Sequence, residues 1–331
     1  MKLSRNALRN LANRYRAVLK KCRLLNTFGI LLLAGCCVVG RGGAVSAEPI
    51  YGQKETSQNA SVTGGTVSTD QGASGVFGGY SYYYEDRPWS SYSNEASQNT
   101  ADMTGGNYTF VTMGARDRIA VAGGYANHTA DGNRVSISGG SFSGGGVFGG
   151  FASDPKGFAD NGSASDNRVI IKGGSGEFDL IAGGYACTDD GNKPKATASN
   201  NTVTISSGIT VAGKKLAVDN TEKAVAVVGG YATTEAKRNS VTISGGDYNG
   251  IVAGGIAIKK GSTASNNVVT INGGTVNGDV YGAYVYGNEA MNNIVNIGGD
   301  AKIKGDIYSI GIQMPSLAKL SGTVNITGVL V

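Results

Sequence analysis

Few residues of this 331-residue chain have the types and spacing that chemistry needs. Gly144-Gly145-Gly146-Val147-Phe148-Gly149 fits G-x-G-x-x-G, but dinucleotide binding also needs a strand before it, a helix after it and an acidic partner further on. No helical period follows, and a chain with 54 glycines meets such a pattern by chance. Gly208 to Lys214 has phosphate-loop spacing, yet Lys215 stands where the metal-binding Ser or Thr is required. Gly173 to Asp179 approaches a calcium-binding nonapeptide, but its Asp comes one position late and the phrase occurs once. His128 is the single histidine, which leaves little for a metal site or a nucleophile–histidine pair. The carboxylates Glu85, Asp86, Asp154, Asp160, Asp189 and Asp190 lie in loops as isolated or adjacent charges, whereas a glycosidase or lyase needs them converging on one groove. No catalytic, cofactor-binding or metal-binding residue is therefore expected.

One cluster suits contact rather than catalysis. Tyr82, Tyr83, Tyr84, Trp89 and Tyr92 crowd into residues 82–98, and Trp89 is the sole tryptophan. Aromatics with polar edges fit stacking on a glycan or packing against a protein. The same loop could instead fold over an exposed first rung as a cap. Both readings stand.

Charge and the N-terminus narrow the class. The net charge of +5 comes from residues 1–47, which hold nine basic side chains and no acidic one, leaving 20 basic against 24 acidic beyond them. That balance argues against a nucleic-acid partner, whose phosphates need clustered positive charge. The basic stretch precedes an apolar run from Phe28 to Gly40 and then Ala44-Val45-Ser46-Ala47. This order predicts a signal peptide over 1–47, cut after Ala47; the apolar run is too short for a membrane-spanning helix. Leu33-Ala34-Gly35-Cys36 also fits a lipobox, so lipidation at Cys36 is the alternative. Cutting after Ala47 leaves Cys187 alone, so no intrachain disulfide can stabilise the exported chain.

The elements that must position any such residues are repeats. Aligning on an Asn before Val-x-Ile gives Asn59, Asn99, Asn133, Asn167, Asn201, Asn239, Asn267 and Asn293, with a further start at Gly322. Each unit has an alternating strand such as Val135-Ser136-Ile137, a Gly-Gly corner such as Gly139-Gly140, and a phrase such as Val121-Ala122-Gly123-Gly124-Tyr125-Ala126. One unit cannot bury its own Val and Ile, but stacked units about 4.8 Å apart can, with Asn ladders and an aromatic column of Tyr125, Phe151, Tyr185 and Tyr231. The prediction is an all-β, parallel β-solenoid of about eight to nine repeats: a first repeat with its capping loop over 48–98, then repeats over 99–331, the last incomplete. Whether one repeat makes one coil stays open, a twisted multi-sheet prism being the alternative. Inserts of different length follow each Gly-Gly-aromatic phrase, so they are expected along one edge, where binding loops concentrate.

The recurring N-x-V-x-I-x-G-G and V-x-G-G-Y-A phrases behind an export leader resemble the repetitive passenger regions of Gram-negative autotransporters, over roughly residues 50–331. The resemblance implies an exported solenoid on the cell surface or outer membrane, or secreted, that serves adhesion, aggregation or as a stalk. Its partner would be a host or bacterial surface protein or glycan, and its membrane contact only the export signal or a lipid at Cys36. Such proteins end in a membrane β-barrel, and this sequence reaches Val331 within a repeat. A truncated or separately encoded passenger is one explanation, attachment through Cys36 another. A carbohydrate-active β-helix enzyme is the alternative function.

Overall fold

The computed structural model describes residues 44–45, 50–51, 59–62, 66–69, 75–81, 95–110, 119–154, 161–188, 195–218, 221–312 and 319–327. All of these belong to one compact unit, Ala44–Val331. No helix occurs among them, and therefore none long and apolar enough to cross a membrane.

The repeats do stack as a parallel β-solenoid, and one repeat makes one coil. The repeat strands pair in parallel with their equivalents one repeat later, as Val135 with Val169, Val169 with Val203 and Val203 with Val241. The first sheet is built from the Val-x-Ile strands, such as Arg134–Ile137 and Arg168–Ile171. Its burial alternates as the pleat requires: Val135 and Ile137 are buried while Arg134 is exposed. The Gly-Gly corner follows, with its second glycine at positive φ in Gly106, Gly140, Gly174, Gly246, Gly274 and Gly299. The second sheet is short, for example Asn107–Phe110 and Ser141–Ser143. The third carries the Gly-Gly-aromatic phrase, as in Ile119–Ala126 and Leu180–Thr188.

A fourth sheet, absent from the sequence expectation, completes the coil. Its strands include Asn161–Ser163, Lys195–Ser199 and Glu235–Lys237, and it continues toward the N-terminal side as single bridges from Ser163 to Thr129 and from Thr129 to Glu95. Its inward residue is alanine at 96, 130, 164, 198, 236, 264 and 290, each essentially fully buried. The chain then turns into the first sheet through a left-handed residue: Gln98, Gly132, Asp166, Asn200, Arg238, Asn266 or Asn292, all with φ between 53° and 67°. Six of these carry a side chain, a backbone state that costs free energy and is held here by the stack.

Three features depart from the sequence expectation. The solenoid has about six turns, against the eight to nine repeats expected, and the Asn column runs from Asn99 to Asn293. Asn59 is in register with Thr100, one place past Asn99, so it does not belong to the Asn column. Ala44–Val45, inside the expected leader, pairs with Thr66 and Val67, and Ile50–Tyr51 pairs with Val76 and Phe77.

Candidate functional site

The predicted contact residues Tyr82, Tyr83, Tyr84, Trp89 and Tyr92, and the lipidation candidate Cys36, lie outside the described residues. What the structure brings together instead are columns that run along the axis.

The Asn column is the most regular. The backbone N and Nδ2 of Asn133 both donate to Asn167 Oδ1, at 2.8 and 3.1 Å, and Asn167 repeats this toward Asn201 at 3.0 and 3.1 Å. The series continues through Asn239 and Asn267 to Asn293. Nδ2 has a second proton, which Asn201, Asn239 and Asn267 each place on an alanine carbonyl of the fourth sheet at 2.9 Å. Every described member of the column is buried, and its amide ties the rung both to the next rung and across a corner.

The paired glycines of the third sheet let it approach both the fourth sheet and this column. A Cβ on Gly124, Gly150 or Gly184 would meet first the carbonyl oxygen of Ala96, Ala130 or Ala164 and then, at 2.5 Å, the Nδ2 of Asn133, Asn167 or Asn201; the rung with Asn293 carries Ala283 in this place. The requirement is close approach, since none of these three has a positive φ. At the C-terminal end the sizes are exchanged. Ser309 and Ile310 replace the glycine pair, and Gly322 takes the Asn place, where a Cβ would lie 2.6 Å from Ser309 Cβ.

Aromatic columns flank the ladder on two sheets. Tyr125, Phe151, Tyr185 and Tyr231 stack on the outer face of the third sheet at centroid spacings of 5.0, 4.8 and 4.8 Å, as expected. An insert covers part of this face: Lys214–Ala217 pairs antiparallel with Glu222–Val225, burying Leu216 and Val218, and Tyr231 donates to Ala217 O at 2.8 Å. A second, interior column, Tyr108, Phe142 and Phe178, stands on the second sheet at 4.8 and 4.7 Å. Tyr108 and Tyr248 donate to Gly105 O and Gly245 O at 2.7 Å, and burial pushes both hydroxyls far above the ordinary phenol range. The recurring Gly-Gly-x-Tyr/Phe at Gly105 to Tyr108, Gly139 to Phe142 and Gly245 to Tyr248 is the sequence signal for it.

The near-motifs resolve into parts of the same frame. Gly144 and Gly145 are a positive-φ corner that leads into the strand Gly146–Asp154, and Asp179 of the supposed calcium phrase accepts from Gly145 N at 3.0 Å. The phosphate-loop spacing covers two strands, Thr210–Val211 and Lys214–Ala217. His128 is half-buried, with Nδ1 2.8 Å from Thr129 Oγ1. Cys187 packs against the outer aromatic column and accepts from Thr233 Oγ1 at 3.9 Å.

The one carboxylate with unusual electrostatics is Asp131. Its Oδ1 accepts from Ser165 N at 2.7 Å and Ser163 Oγ at 2.8 Å, both on the next rung. Burial raises its pKa; those hydrogen bonds pull it down, and Asp166 and Glu95 push it up, leaving it above the ordinary carboxylate value. This geometry makes Asp131 a staple between rungs. Among the described residues no three metal-ligating side chains gather in one place. The chain matches no protein-family model, no curated protein and no solved structure.

Proposed function

We propose that this protein is an exported β-solenoid that acts without catalysis, as a rigid stalk and display frame in surface adhesion or aggregation. The observation that carries this reading is the continuity of the columns. The Asn ladder runs unbroken from Asn99 to Asn293, so the chemistry of each rung is directed at its neighbours. A second arrangement supports it. The segments between the third and fourth sheets enter at one edge in every turn, for example after Asp154, Thr188 and Ala232. Varied loops in a row on a rigid frame are suited to contact with a surface protein or glycan. The export leader over 1–47 and the surface location belong to the same proposal, as does lipid attachment at Cys36.

The test is expression of the full chain in a Gram-negative host. Faster settling of the cells, or binding to surfaces coated with proteins or glycans, is expected, with no sugar released from a polysaccharide panel. Release of reducing or unsaturated sugars by the purified protein would overturn the reading in favour of a carbohydrate-active enzyme.

A further inference from the structure

On the outward side of the first sheet, one column of side chains reads Thr100, Arg134, Arg168, Thr202, Ser240 and Val268 along successive rungs. The two arginines interrupt an otherwise uncharged column, and both are exposed. Arg134 is in register with Arg168, so their stems leave the same face of the sheet about 4.8 Å apart. Lys172, exposed and of the same parity as Arg168, adds a third cation; its backbone N continues the ladder to Ile137 O.

Like charges directly opposite one another destabilise a sheet. Nothing in the frame offsets that cost here. Among the described residues, neither guanidinium makes an ion pair or a side-chain hydrogen bond. Asp102, in register with Ser136 on this face, and Asp166, at the left-handed turn before Arg168, pair with neither. The pair therefore weakens the rod it stands on, and an anion from outside is what would complete it.

The surroundings say which kind of anion. Ser136 and Ser138 lie beside the arginines, and Thr202, Thr204 and Ser206 follow on the next rung, all half-buried or exposed. Ile170, the apolar side chain on this part of the face, is already buried. A protein partner would look for an aromatic or aliphatic centre, which the face lacks. A flat row of hydroxyls beside guanidinium forks suits an extended polymer that is itself rich in hydroxyl and acid groups.

We infer that this face binds an acidic polysaccharide. Its carboxylate or sulfate groups would sit on the forks of Arg134 and Arg168, which match two oxygens of such a group at once, and its hydroxyls on the neighbouring serines and threonines. The inference rests on the proposed function for where the contact takes place. Binding by the purified chain does not depend on export, so the two can fail separately.

The test is binding of the purified full chain to alginate, a carboxylate polymer, and to dextran sulfate, with neutral dextran and poly-L-glutamate as comparisons. Binding to one or both acidic polysaccharides is expected, tighter than to either comparison by about tenfold or more; the preference between the two assigns the acid group. Arg134→Gln with Arg168→Gln is expected to weaken that binding by about tenfold or more, with an unfolding midpoint unchanged or raised because the repulsion is gone. Lys259→Gln with Lys260→Gln, on the long strand Ile251–Ser265, is expected to bind like the native chain. Undiminished binding by the arginine variant, an equal loss in the lysine variant, poly-L-glutamate bound as tightly as the polysaccharides, or no binding to either polysaccharide would each overturn the inference.

Discussion

Asn201 uses every hydrogen-bonding group it has on the frame: backbone N and Nδ2 reach Asn239 Oδ1, Nδ2 reaches Ala164 O, and Oδ1 receives Asn167. Removing the amide strands buried partners on both neighbouring rungs, so Asn201→Ala is expected to lower stability by about 1–3 kcal/mol, measured by denaturant unfolding. The glycine opposite is confined from two sides: a Cβ on Gly184 would meet Ala164 O before it met Asn201 Nδ2. Gly184→Ala overpacks the site and is expected to cost about 1–3 kcal/mol, and adding Asn201→Gly is expected not to relieve that loss, because the Ala164 carbonyl stays in place. Asp131 gives a pH prediction. Its folded pKa is raised, so the native state binds the proton more tightly than the unfolded chain does. Its contribution to stability is greatest below the unfolded pKa and declines as pH rises through the folded one. Asp131→Asn keeps an acceptor for Ser165 N and Ser163 Oγ and removes that dependence. The variant is expected to gain stability over the native chain as pH rises through this window, as followed by thermal unfolding across acid to neutral pH.

At the scale of elements, the third sheet needs cover on both faces. Its inner face packs Val121, Val147 and Ile181 into the core, while its outer face presents the aromatic column. The hairpin over 214–225 shields part of that column, so Leu216→Ala is expected to cost about 2–3 kcal/mol, near the low end for a buried leucine. It should also raise binding of an apolar dye with little change in β-sheet signal. An unchanged midpoint would mean that the hairpin is only draped over the sheet. This hairpin and the fourth sheet mark what sequence reading missed. Val-x-Ile, Gly-Gly and Gly-Gly-aromatic are strong because alternation and glycine corners recur at fixed offsets. The fourth strand offers one or two buried alanines in three to five residues, too little alternation to stand out at the end of inserts of changing length. Its signature is nonetheless present as Ala-x-x-Asn, in Ala130 to Asn133, Ala164 to Asn167 and Ala236 to Asn239. The Asn59 start failed for a related reason. Matching residue type without the strand's partner gave a register one place off, and only the pairing with Thr100 corrects it. The aromatic loop around Trp89 carries a signal of composition alone, which gives residue types and no geometry.

For the whole molecule, stability is shared among rungs that touch only their neighbours, so damage to one rung should weaken the rod without abolishing a discrete activity. The frame accounts for the repeated residues, and the irregular inserts and the arginine pair are left to carry any specific contact. Shape and location are then the properties on which the functional proposal stands, and location is the one that most sharply divides it from a cytosolic role. The direct measurement is N-terminal sequencing of the protein recovered from protease-accessible material on intact Gram-negative cells expressing the full chain. The account predicts an exposed protein that begins at Glu48, or at a lipid-modified Cys36 if the lipobox is used. A chain that keeps residues 1–47 and stays protected inside the cell would contradict it.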